Sequence, residues 1–350
     1  MNKLDNPVNP QEIKQSGMQV SNVMADDFGI DIPVEAVPLP SRGVIYSSGG
    51  SLYGKETIDI KPMTAKEEDI LTSRAYIKNG TVISKLIESC LVDKTINTED
   101  LISGDRNALM IALRITGYGS EYSADVTCPE CNKVSKSDFD LSQLPIKRLQ
   151  IDPVEEGQNI FEVQLPATKK NVKVKFLTGR DEREMLLTSE RKKKHGLTKD
   201  TAVTDRLKQS ILSIEGISDK NKINFFVDNM PARDSLALRR FLDNNEPGVD
   251  MKAHMQCSHC HEESEVDLPL GTTFFGLTPE NRDVILEQIW YLMRECNFSY
   301  ADAYNLPVWK RIWFLNKLKA HITESNNAIQ NQQNSSQRNK NIFKKSFWVS

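Results

Sequence analysis

Four cysteines, Cys128, Cys131, Cys257 and Cys260, are the residues of this 350-residue chain whose type and spacing point most directly to chemistry. They form two Cys-x-x-Cys pairs in similar settings, one inside Thr127 to Asn132 and the other inside Gln256 to His261. Such a turn offers two thiolates on a knuckle whose backbone amides help neutralise their charge, and structural zinc takes four such ligands in a tetrahedron. One pair is half a site. The two pairs together predict one structural Zn2+ held by all four sulfurs, worth on the order of ten kcal/mol at neutral pH. Two separate sites, with His254, His259 or His261 completing one of them, stay open as the alternative. His259 lies inside the second pair and is expected to point away from a metal held by its flanking cysteines. Thioredoxin-type redox chemistry calls for one pair at a helix N-terminus after a strand, whereas each pair here sits between strand patterns.

No other motif supports catalysis. The chain has no Gly-x-Ser-x-Gly, His-Glu-x-x-His or phosphate-loop pattern, and its five histidines form no triad-like arrangement. A non-enzymatic protein without a small-molecule substrate is the expectation. The run from Arg191 to His195 is the one strong basic patch, but Asp181, Glu182, Glu184 and Glu190 flank it, so it reads as a solvated helix end. A net charge of -3 argues against nucleic-acid binding by bulk electrostatics. The N-terminus lacks an apolar core of the signal-peptide kind, and nowhere do 18 consecutive apolar residues occur. The protein is therefore expected to stay in the cytosol, away from membranes. There Cys90 and Cys296 read as buried thiols in apolar helical patterns.

The elements that must position the cysteines follow a repeated order. Thr57 to Lys61 alternates as a strand, Thr64 caps a helix with Glu67 and Glu68 in its first turn, a second helix covers Thr81 to Leu91, and a third starts near Asp105. Ala124 to Leu141 then reads as strand, tight turn, strand around the first cysteine pair. The order recurs with a strand at Val172 to Phe176, a cap at Thr178 with Asp181 and Glu182, and an apolar helix through Leu207, Ile211, Leu212 and Ile214. Both capped helices run on to Leu-Thr-Ser, at Leu71 to Ser73 and Leu187 to Ser189. Arg233 to Leu236 matches Arg106 to Leu109, and Asp267-Leu268 closes the second knuckle as Asp140-Leu141 closes the first. An internal duplication explains the wide separation of the pairs, since two similar copies about a pseudo-twofold axis can bring their knuckles together.

The expected fold class is α+β: two similar α/β repeats, each ending in a Cys-x-x-Cys hairpin and joined by a shared zinc-ribbon-like site, plus a C-terminal helical unit. The divisions are a flexible N-terminal arm over 1–36, repeats over 37–150 and 151–277, the helical unit over 278–324, and a disordered tail over 325–350. Val37 to Gly54 reads as an extended strip on a domain surface. Each copy is long enough for a core of its own. In the helical unit Trp309 and Trp313 are candidate partner-binding residues or, equally, the large side chains of a small core, and Phe347 and Trp348 form a terminal motif suited to folding on a partner.

Several of these segments resemble a known family. Pro38 to Gly43, the run Lys61-Pro62-Met63-Thr64-Ala65-Lys66-Glu67-Glu68-Asp69-Ile70-Leu71, both knuckles, and Trp290 to Met293 are similar to the baseplate hub assembly chaperones of T-even-type contractile-tailed phages. The likeness spans roughly residues 37 to 320. It implies a late, virus-encoded, non-enzymatic factor made in the host bacterial cytoplasm, with hub subunits or the tape-measure protein as partners. A permanent baseplate hub subunit and a zinc-ribbon nucleic-acid or protein adaptor are the alternatives.

Overall fold

The computed structural model describes the backbone of residues 23–25, 31–194, 201–270 and 272–346, and side chains within 34–330. The expected mobility of the N-terminal arm falls largely outside the described residues. Within it, β1 (Val23–Ala25) and β2 (Asp31–Pro33) pair as a short antiparallel ribbon.

The first copy begins with β3 (Glu35–Pro38) antiparallel to β4 (Thr57–Ile60), whose Ile60 also bridges Leu91. Helices α1 (Ala65–Leu71), α2 (Arg74–Lys78), α3 (Val82–Cys90) and α4 (Ser103–Tyr118) follow, and then the hairpin β5 (Glu121–Thr127) and β6 (Val134–Asp140). A short β7 (Ile146–Lys147) leads into the second copy. There β8 (Phe161–Gln164), β9 (Asn171–Val174) and β10 (Ile211–Ile214) form one antiparallel sheet with β9 central. Helices α5 (Gly179–Lys194) and α6 (Ala202–Ser210) lie between β9 and β10. Helices α7 (Lys220–Asp228) and α8 (Ala232–Asn245), β11 (Gly248–Val249) and the hairpin β12 (Lys252–Gln256) and β13 (Glu263–Asp267) complete the copy. Helices α9 (Arg282–Cys296), α10 (Tyr300–Asn305) and α11 (Val308–Ser346) end the described chain.

The caps behave as their residue types dictate. Thr64 closes a capping box with Glu67, and the Thr178 amide donates to Asp181 Oδ2 at 3.0 Å. In the first copy the Thr72 hydroxyl bonds back to the Glu68 carbonyl and Ser73 caps α2, so the helix breaks. In the second copy Leu187-Thr188-Ser189 stays inside α5.

Four expectations are corrected. Leu207 to Ile214 is not one helix: α6 ends at Ser210 and Ile211–Ile214 is β10, because its apolar side chains complete the sheet beside β9 just as Leu91 bridges Ile60. The Val37 to Gly54 strip is no surface strip, since Val37, Leu39, Ile45, Tyr46 and Leu52 are all buried. The match of Arg233 to Arg106 is out of register, for Leu109 is buried while Leu236 is 41% exposed. Shifting to the offset that relates Cys128 to Cys257 pairs buried Asp105, Leu109 and Leu113 with buried Asp234, Leu238 and Leu242. Lastly, the tail expected to be disordered from Ser325 continues α11 to Ser346, with no Pro or Gly after Pro307 to stop it.

The shifted register has a physical meaning. Asp105 accepts the Ser41 amide at 3.0 Å and the Ser41 and Tyr46 hydroxyls, and Asp234 accepts the amides of Ala167 and Thr168 at 2.6 and 3.0 Å. In each copy one carboxylate at the start of the long helix ties down backbone in the connection that leaves an earlier strand, β3 in the first copy and β8 in the second. The copies also interlock. Ser103 and Gly179 exchange backbone bonds with Leu177 and Leu101, and β7 pairs with β11. A Cβ on Gly104 would lie 1.7 Å from the Pro247 carbonyl, so this crossing of α4 requires glycine. One apolar core accordingly runs through both copies, and a smaller one, built on Ala65, Ile285, Ile289, Leu292 and Ala303, seats α9 and α10 on α1.

Candidate metal centre

Each hairpin points one row of side chains inward: Tyr122, Ala124 and Val126 from β5, Met255 from β12 and Val266 from β13. Their burial aims the two turns at each other. The turns are built alike. The Cys128 amide donates to Lys133 O at 3.0 Å and the Asn132 amide to Cys128 O at 2.9 Å; the Cys257 amide donates to Glu262 O and the His261 amide to Cys257 O at the same two distances. Asn132 and His261 both adopt the left-handed conformation that closes such a turn, with φ of 55 and 62.

All four sulfurs lie within 4.8 Å of one another. Cys128 Sγ is 3.7 Å from Cys260 Sγ, and Cys131 Sγ is 3.7 Å from Cys257 Sγ. The first cysteine of each knuckle meets the second of the other, the reciprocal pattern of a twofold contact. Sulfurs bound to one tetrahedral zinc at about 2.3 Å stand about 3.8 Å apart, so the donor set fits such an ion in type, number and spacing. Cys128 and Cys257 are buried, Cys131 and Cys260 half-buried.

The electrostatics suit a cation. The amides of Cys260 and His259 hold the Cys257 thiol down at about 6, and that of Cys131 leads in lowering Cys128. Cys260, although the Glu262 amide works the other way, is pushed up to about 12 by burial and its neighbouring thiols. Four sulfurs this close cannot all ionise without a positive charge among them.

The histidines stand aside. His259 donates from Nε2 to the Val134 carbonyl at 3.2 Å, and His254 and His261 are exposed. Among the described residues no histidine joins the sulfur group. Ser135 and Ser258 hydroxyls meet at 3.0 Å beside the sulfurs and tie the hairpins together without metal.

Of the other candidates, Trp309 and Trp313 lie on α11 at 47% and 52% exposure, while Phe347 and Trp348 fall outside the described residues. Cys90 is buried, its thiol raised by burial, and Cys296 is half-buried against the small core. Sequence reasoning missed the contact that holds the C-terminal unit. Arg311, 1% exposed, bonds Glu68, which also accepts Tyr118 OH at 2.8 Å; Arg311 Nε reaches Gln288 Oε1 at 3.1 Å. An arginine on the buried stripe of α11, between Val308 and Leu315, was the available signal.

A family model described as T4 bacteriophage base plate protein matches residues 46–276. The matched stretch holds α1 through α8 and both knuckles, and leaves out Pro38 to Gly43 and Trp290 to Met293, which also carried the resemblance. No curated protein and no solved structure matches the chain. With about two thirds of its length covered, the chain belongs to the T4 bacteriophage base plate protein family.

Proposed function

We propose that the chain is a non-enzymatic factor in building the baseplate hub of a contractile phage tail, with one zinc ion at Cys128, Cys131, Cys257 and Cys260 clamping its two copies into a rigid body. The observation that carries this reading is the reciprocal sulfur cluster, which joins two copies of one fold inside a baseplate family match. A metal at such a place rigidifies and catalyses nothing, because all four of its positions are taken by protein ligands. Hub subunits or the tape-measure protein are the partners this reading names. Among the described residues no helix is long and apolar enough to cross a membrane.

The second reading, a permanent hub subunit, is favoured by the family's own description as a base plate protein. Two measurements test these readings, one the clamp and the other the choice between them. Elemental analysis of the purified chain is expected to give one zinc per molecule, and a metal-free protein sinks the clamp. Mass spectrometry of finished particles is expected to find the chain scarce; amounts matching other baseplate subunits select the structural reading instead.

A further inference from the structure

Helix α11 begins against the body, with Val308 and Arg311 buried and Ile312 and Leu315 half-buried. The side turned away carries Trp309 and Trp313, which four-residue spacing places one above the other. Each ring has a cation over it: Lys310 Nζ lies 5.3 Å from the Trp309 centroid and Lys317 Nζ 5.8 Å from that of Trp313. On α9, Arg294 stacks at 5.0 Å over Trp290, which is 46% exposed. From Val308 to Thr323 the helix has no carboxylate; the first is Glu324. A chain of net charge -3 thus keeps, from Val308 to Thr323, a helical face that is aromatic and carries only positive charge.

We propose that this face of α11 docks an acidic amphipathic helix of a partner protein. An apolar side chain of that helix seats between Trp309 and Trp313, and its carboxylates pair with Lys310 and Lys317. The inference rests on the assembly reading above and gives it a partner chemistry. A helix is the occupant because side chains four apart form the ridge that a second helix receives in its groove. Tryptophan pairs of this kind anchor protein interfaces. Nucleic acid is disfavoured because the chain as a whole carries a net charge of -3, where nucleic-acid binders are usually strongly basic. The lysines also favour an acidic partner and turn away a basic one.

The test uses the full chain and a fluorescein-labelled synthetic amphipathic helix, with Glu on its polar face and Leu at helical spacing, followed by anisotropy. A counterpart carries Lys for every Glu. The acidic peptide is expected to bind and the basic one to fail. Trp309→Ala with Trp313→Ala is expected to weaken binding about tenfold or more. Lys310→Glu with Lys317→Glu is expected to reverse the preference toward the basic peptide, with circular dichroism and metal content unchanged in both variants. Equal binding of the two peptides overturns the proposal. So does an unchanged preference after charge reversal, or tighter binding of duplex DNA or phosphatidylglycerol vesicles at the same tryptophans. Hub assembly by the same variants distinguishes this failure from that of the broader reading: variants that lose the peptide yet build hubs normally remove the docking face and leave the assembly role standing.

Discussion

Glu35 sits in β3 opposite Ile60, half-buried, and burial raises its carboxyl to about 7. A carboxyl whose folded value exceeds its unfolded one favours the fold while protonated. Its contribution is present below about 4.5 and is lost as pH climbs through about 7. Glu35→Gln removes that dependence. Urea denaturation is expected to show equal midpoints for variant and parent at pH 4 and a higher midpoint for the variant at pH 8; parallel curves at both pH values would refute it. Asp234 behaves otherwise: burial works against its charge, yet the Ala167 and Thr168 amides hold it below the usual carboxylate range. At this scale the sequence was legible where a residue type has one dominant use. Paired cysteines and capping threonines declared themselves. Asp105 and Asp234 did not, because an aspartate at a helix start looks like any first-turn acid until the partner strand is known.

Between elements, the contact that matters most is that of α10 and α11 on α1 and the residues leading into it. The Glu68 and Arg311 pair is buried, the Tyr304 hydroxyl donates to Asp69 at 2.6 Å, and the Val308 amide donates to Met63 O at 2.8 Å. Among the described residues one guanidinium nitrogen of Arg311 has no hydrogen-bond partner, so the pair is incompletely satisfied. Arg311→Met strands the Glu68 carboxylate and is expected to cost about 3–5 kcal/mol, whereas Glu68→Gln with Arg311→Met restores most of that or all of it. A double-mutant cycle by chemical denaturation measures both, and additive losses would show that the two side chains do not act as a pair. Such a contact is illegible in sequence because charge pairing across most of the chain leaves no local pattern. Ile211–Ile214 failed for another reason: four apolar residues fit the end of a helix or a short strand equally, and only the sheet beside them decides. The α11 extension past Ser325 reflects the absence of breakers, a weaker signal than the polar composition that suggested disorder.

For the whole molecule, the sulfur cluster and the smaller core are independent fasteners. The first joins the hairpins of the two copies; the second joins the C-terminal helices to α1. Removing the proposed zinc with a chelator is expected to speed amide hydrogen exchange in β5, β6, β12 and β13 together while α9 and α10 keep their protection. Exchange mass spectrometry reads this, and loosening confined to one hairpin would contradict a shared site. The reciprocal crossing of Cys128 with Cys260 and Cys131 with Cys257 bears also on how the molecule is made. A ribosome releases the earlier thiol pair long before the later one exists, so no fragment ending ahead of Cys260 owns a full coordination shell. Capture of the proposed ion would therefore report that synthesis has passed both halves, and a chain cut short between them would stay without its clasp.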